Sequence, residues 1–325
     1  MTTARFPICQ LPAPLKPGDL LRVIAPSGAL REFEAFHKGL EIWRSRGYTL
    51  EWSANLDARE GYLAGTDSER RQQLAQAWTD PNCKGILCLR GGYGSARLLE
   101  DWIWPSQVNS NKKTSESPIS KWLIGFSDIT GLLWSLTHLG ISGVHAPVLT
   151  TLAAESEWSL NRLFDCVEGR SLAPLTGVGW GGGQASGILL PANLTVATHL
   201  LGTPVQPPLD GVILALEDVT EAPYRIDRML TQWRMSSAFQ GVRGIALGRF
   251  SRCYPPMEVP SWTVEEVLRD RLLDLGIPIV SDLPFGHEGD NAALPVGQPV
   301  QLDADKGTLS WSCNDSSLHL AEVQG

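Results

Sequence analysis

Short continuous apolar runs alternate along this chain with segments whose apolar residues recur every three or four positions. Residues 20–28 (LLRVIAPSG) read as a first strand running into a Pro/Ser/Gly turn. The spacing predicts a helix over 33–46, stopped by Gly47, and a strand over 49–52. A helix over 68–79 follows, with Asp67 or Ser68 as its cap. Residues 85–89 (GILCL) form a continuous apolar run, as expected of a central parallel strand buried on both faces. A helix beginning near Ser95 would bury Ala96, Leu98 and Leu99. Trp122 to Ile124 ends another buried strand, and Ile129, Leu132, Leu133 and Leu136 have helical spacing over 129–138. Residues 143–147 look like one more strand end, and 160–167 like a helix. Strand alternating with helix predicts an α/β domain with a mainly parallel sheet over 1–170.

The texture then changes. Residues 171–186 contain Gly177, Gly179, Gly181, Gly182 and Gly183 and read as a Gly-rich linker. Beyond it, 187–190, 212–216, 244–248 and 277–280 read as strands, and 194–201, 224–236 and 263–275 as helices. Residues 300–303 and 308–311 read as the arms of a hairpin around Lys306-Gly307. The expectation is a C-terminal mixed β/α domain over 187–325. Residues 105–120 (PSQVNSNKKTSESPIS) are polar and aperiodic and read as a long exposed loop.

Composition narrows the function. A net charge of -8 over 325 residues argues against nucleic acid as a partner. No apolar run approaches the roughly 18 residues of a membrane span. The N-terminal stretch lacks a signal-like apolar core, so no signal peptide is expected, and a reduced cytoplasmic protein is the simpler reading of the cysteines. The six cysteines are scattered, with no CxxC pair, which fits reduced thiols and neither a disulfide framework nor a zinc site.

Three stretches carry candidate chemistry. In Gly125-Phe126-Ser127-Asp128-Ile129 a strand turns sharply into a helix, lifting one serine to the sheet's carboxyl edge beside free helix N–H groups. The pattern lacks the last glycine of the G-x-S-x-G elbow, and Ser127 or Asp128 would equally serve as a helix cap. Arg90-Gly91-Gly92-Tyr93-Gly94 fits neither a dinucleotide nor a P-loop fingerprint, so it is either a plain turn or a cradle of backbone donors. Glu217 directly follows an apolar strand, with Asp218 and Glu221 nearby. His287 lies between glycines in a loop; His145 near a strand end is a rival, and His199 in an apolar helix reads as core. A serine hydrolase needs a hydroxyl, an imidazole and an orienting acid. Spacing alone does not show that Ser127, Glu217 and His287 meet.

Taken together and in order, these pieces resemble a family. They include Ile24-Ala25-Pro26-Ser27, Arg90 to Ser95, Ile124 to Thr130, Asn193-Leu194, Leu216-Glu217-Asp218, Pro223 to Arg228 and Gly286-His287. The set, spanning nearly the whole chain, is similar to the LD-carboxypeptidases, or muramoyltetrapeptide carboxypeptidases, with microcin-immunity hydrolases as relatives. The resemblance implies a serine nucleophile at Ser127, a catalytic acid at Glu217 and a histidine at His287. It implies an oxyanion hole from the backbone N–H of Asp128 and one from the glycine run, at Gly92. It further implies two domains, a cytoplasmic homodimer, no metal or cofactor, and a murein tetrapeptide substrate that loses its terminal D-alanine. The alternatives are an amidase acting on a peptidyl or aminoacyl nucleotide, and a non-catalytic binding protein. The sequence departs from the family in the length of the 105–120 loop and in Pro191-Ala192, where two glycines are expected.

Overall fold

The computed structural model describes residues 5–105, 120–255 and 260–311. The expected loop therefore lies, from 106 to 119, outside the described residues. In the first half the elements are β1 (Leu20–Ile24), α1 (Phe33–Ser45), β2 (Thr49–Trp52), α2 (Asp67–Thr79), β3 (Cys83–Cys88), β4 (Trp122–Gly125), α3 (Thr130–Thr137), β5 (Val144–His145) and α4 (Glu157–Val167). The second half begins with β6 (Leu175–Thr176), β7 (Val178–Trp180), β8 (Gln184–Asn193), α5 (Leu194–Leu200), β9 (Val212–Val219), α6 (Pro223–Met235) and β10 (Gly244–Ser251). It continues with α7 (Val264–Leu272), β11 (Ile279–Ser281), β12 (Leu294–Pro295), β13 (Pro299–Asp303) and β14 (Thr308–Trp311).

Two sheets result. The first has the order β12-β5-β4-β3-β1-β2. Strands β1 to β5 pair parallel, and β12 is antiparallel to β5. The second has the order β6-β14-β13-β8-β9-β10-β11-β7. Its centre, β8 to β11, is parallel, with antiparallel strands on either side, so it is the mixed sheet the sequence implies. Strands β13 and β14 form the expected hairpin. All four residues of β4 are buried, as befits a strand with both faces covered.

The two halves are less separate than the sequence suggests. The Gly-rich stretch 171–186 is not a bare connection: it supplies β6 and β7, which border the second sheet at opposite edges. Gly179 packs so close to the chain that an added Cβ would fall 1.7 Å from the Ala304 carbonyl oxygen. In return β12, from the second half, completes the first sheet. Leu132, Leu133 and Trp134 of α3 share one core with Leu194, Leu200, Leu214 and Ile226. The Trp134 indole N–H donates to the Pro191 carbonyl at 3.1 Å. β13 pairs with β8 only as far as Ile188, so Pro191 lies past that ladder and its missing N–H leaves no gap in it.

In a few places the structure departs from the local signals. The α2 cap is Thr66, not Asp67 or Ser68: Thr66 and Glu69 form a reciprocal capping box. The helix expected near Ser95 is a single 3₁₀ turn, Ala96–Leu99. Arg71 of α2 donates to the carbonyls of Arg97 and Leu98, occupying acceptors that a longer helix would use. His199 is exposed on α5 rather than in the core. The cysteines within the described residues are unpaired and buried. No helix among the described residues is long and apolar enough to cross a membrane.

Candidate active site

The carboxyl ends of β4, β8 and β9 converge. Phe126 is still extended, and Ser127 then takes φ +62°, which throws its side chain out of the strand direction. A left-handed non-glycine residue costs roughly 1–2 kcal/mol, so its surroundings must hold it. Neither Ser127 nor Asp128 caps α3. The buried Asp128 carboxylate turns back and accepts from the Ser27 hydroxyl at 2.6 Å and the Ser95 N–H at 2.8 Å. The turns after β1 and β3 are thereby bound to the serine turn. Gly91 supplies the space: a Cβ there would lie 3.3 Å from Ser127 Cβ and 3.4 Å from its Oγ. Gly92, at φ +109°, turns the chain beside Gly28 and Arg90.

Glu217, fully buried on β9, is paired in register with Asn193 at the end of β8. Its Oε2 accepts from His287 Nδ1–H at 2.6 Å, and its Oε1 accepts from Asn193 Nδ2–H at 3.2 Å. A carboxylate only accepts, so the Nδ1 of His287 carries the proton and Nε2 is free to accept. Nε2 lies 3.1 Å from Ser127 Oγ. The structure thus joins Ser127, His287 and Glu217 in one hydrogen-bonded chain. The His287 loop is fixed at its base: Gly286 N–H donates to Asn291 Oδ1, and Arg249 N–H donates to the Phe285 carbonyl. Gly286 takes φ +130°, and a Cβ there would also stand 3.1 Å from the Arg249 carbonyl oxygen, so the position calls for glycine.

The electrostatics follow from burial and partners. Burial alone would lower the His287 pKa, but the charge and hydrogen bond of Glu217 outweigh it, and the net direction is upward. Asp218 is pushed up to about 6 by burial and by the adjacent Glu217. It nevertheless accepts from Thr195 N–H, Thr195 Oγ–H, Val219 N–H and Asn193 Nδ2–H. Glu221 lies apart, 3.5 Å from Arg225. The rival histidine, His145, is wholly buried with no hydrogen-bond partner on either ring nitrogen. It sits edge-on to Phe126 and Phe285, and burial pushes its pKa down to about 4. Phe126 in turn packs against the His287 ring, with centroids 4.7 Å apart.

The sequence shows Gly91, Thr130 and Asn193 within its motifs but not the contacts each one makes here. A signal for Asn193 was present, since an Asn directly before an apolar helix reads as its cap. Its Oδ1 does accept the Val196 N–H at 3.1 Å, which fixes its amide nitrogen toward the carboxylates. Beside the His287 loop lies a cavity of about 340 Å³, lined in part by Arg249, Arg252, Tyr254, Asp282 and Glu288.

Comparison with known proteins agrees with this architecture. Residues 21–146 match the family model of the LD-carboxypeptidase N-terminal domain, and residues 186–302 that of the C-terminal domain. A Synechocystis sp. protein provisionally named a carboxypeptidase is 60% identical over 92% of this chain and 96% of its own length. The murein tetrapeptide carboxypeptidase of Pseudomonas aeruginosa is 31% identical over 89% of this chain and 94% of its own. Among solved structures, the muramoyltetrapeptide carboxypeptidase of Oxalobacter formigenes superposes with a TM-score of 0.73 at 30% identity, covering 89% of this chain and 97% of that one. The microcin C7 self-immunity protein MccF shares the fold, with a TM-score of 0.81 at 20% identity over 94% and 99% of the two chains. This chain belongs to the LD-carboxypeptidase family.

Proposed function

We propose that this protein is a serine carboxypeptidase that cleaves the amide between the L-centre of a diamino acid residue and the terminal D-alanine of a murein tetrapeptide. The observation that carries the reading is the chain from Ser127 Oγ through His287 to Glu217. His287 Nε2 takes the Ser127 proton as Oγ attacks the scissile carbonyl. Glu217 holds the tautomer that makes this possible and stabilises the imidazolium. The developing oxyanion would be met by backbone N–H groups of the serine turn and the glycine run, at Asp128 and Gly92. His287 then returns its proton to the departing D-alanine nitrogen, and a water repeats the sequence to free the tripeptide. Arg249 lines the cavity beside the His287 loop and offers a partner for the substrate's terminal carboxylate, whereas Arg252 there is already paired with Glu288 at 3.1 Å.

The test is incubation of the purified protein with a murein tetrapeptide and, separately, with a peptidyl nucleotide, with products followed by mass. The expected result is tripeptide and D-alanine, formed equally well after chelator treatment. Turnover of the nucleotide conjugate with the tetrapeptide left intact would favour the amidase reading. Loss of activity on chelation, restored by zinc, would overturn the serine mechanism.

A further inference from the structure

Ser127 is held at both ends by one ring of hydrogen bonds. Its side chain leads to His287 and Glu217, and its backbone leads to Glu217 by another route. The Thr130 Oγ–H donates to the Ser127 carbonyl at 2.8 Å. The Asn193 N–H donates to that same Thr130 oxygen at 3.0 Å. Asn193 Nδ2–H donates to Glu217 Oε1 at 3.2 Å, where the ring closes. Thr130 is fully buried, and its hydroxyl is both donor and acceptor, the one combination that can receive an N–H and still reach a carbonyl. It stands on the first residue of α3, which follows the first sheet, whereas Asn193 and Glu217 belong to the second.

We infer that Thr130 is a positioning residue, which through Asn193 ties the strained serine turn to the acid of the triad. The inference rests on the triad reading above. It addresses how two halves of one reaction centre, borne by two sheets, keep their register. A small displacement of either sheet would lengthen the 3.1 Å contact between Ser127 and His287, and a misplacement near 1 Å can cost about 10²-fold in rate.

The test compares Thr130→Val, Thr130→Ser and Thr130→Cys with the unchanged protein. Two readouts are used: kcat and KM for tetrapeptide hydrolysis, and the rate at which a fluorophosphonate probe labels Ser127. The second needs no assumption about the substrate. Thr130→Val is expected to lower kcat and the labelling rate about 10- to 100-fold while KM stays near its original value. Thr130→Ser should restore most of both, and Thr130→Cys, a weak donor and acceptor, should fall between. Cys and Ser keep the ordering measurable if Val does not fold. Equal labelling rates in folded variants would overturn the inference and leave the triad reading standing. A protein labelled at Ser127 but inactive on tetrapeptide would overturn the substrate assignment and leave the inference to be decided by the labelling rates. Absence of labelling at Ser127 in the unchanged protein would overturn the inference, because no activated serine would exist to be positioned.

Discussion

Glu217 and Asp218 are neighbours on β9 and both are buried, yet only Glu217 meets His287. Alternation along the strand sends Asp218 to the opposite side, where Thr195 and Val219 surround it with donors, and the amide of Asn193 reaches both carboxylates. The two acids are therefore expected to fail differently. Glu217→Gln should fold and lose kcat by roughly 10² to 10⁴-fold, the upper figure being the handicap of a triad whose acid becomes an amide. Asp218→Asn should chiefly lower the melting temperature, because an amide nitrogen would face donors. Glu221→Gln should change neither. Steady-state kinetics beside thermal melts separate the three; a folded Asp218→Asn or Glu221→Gln that loses kcat while Glu217→Gln keeps it would reassign the acid.

The pH dependence follows from His287. On the proposed mechanism it must be neutral to accept the serine proton, and its pKa is raised, so kcat/KM should climb with pH through a value above that of an ordinary histidine. Glu217 causes the rise, and burial opposes it. In Glu217→Gln the acid limb should accordingly move to lower pH. A limb that stays in place would mean that another group sets it.

Gly91 tests the space around Ser127. It is not among the glycines with positive φ, so alanine suits its backbone, and the added methyl would sit 3.4 Å from Ser127 Oγ. Gly91→Ala should melt close to the original temperature and lose kcat/KM by about tenfold or more, on the scale of a 1 Å displacement. Unchanged kinetics would show that substrate and serine do not need that space.

His145 offers a test by stability. Its pKa falls from 6.5 to about 4 on folding, so the native state resists a proton that the unfolded chain accepts. That contribution is complete above pH 6.5 and is lost as pH drops toward 4, by on the order of 3 kcal/mol. His145→Leu, which forfeits no hydrogen bond, should remove this sensitivity, so its stability relative to the original protein should improve steadily from pH 6.5 downward. Parallel stability curves for the two proteins would contradict the burial of a neutral ring.

Much of this arrangement was legible in the sequence because it is local. The apolar run of β3 and the serine turn after β4 sit where period and position place them, while Glu217, read as following its strand, lies within β9, which runs on to Val219. Contacts that depend on tertiary approach left no such trace. The β6 and β7 strands are two and three residues long among glycines, too short for any periodic signal. β12 is a two-residue strand that returns to the other half's sheet. Thr130 looked like an ordinary residue of a helix start, because its second partner, Asn193, is 63 positions away. Gly91 and Gly92 are indistinguishable as letters, and only the packing shows which one touches Ser127.

The central claim is that Ser127 is the attacking atom's residue. Ser127→Ala removes only the hydroxyl and, by relieving no packing, should leave the melting temperature close to the original. The most direct measurement is the rate of D-alanine release from a murein tetrapeptide by this variant and by the unchanged protein at equal concentration. The expected loss in kcat is above about 10⁴-fold, in line with removal of a triad serine elsewhere. A folded Ser127→Ala protein that still released D-alanine at a tenth of the original rate or more would contradict the account.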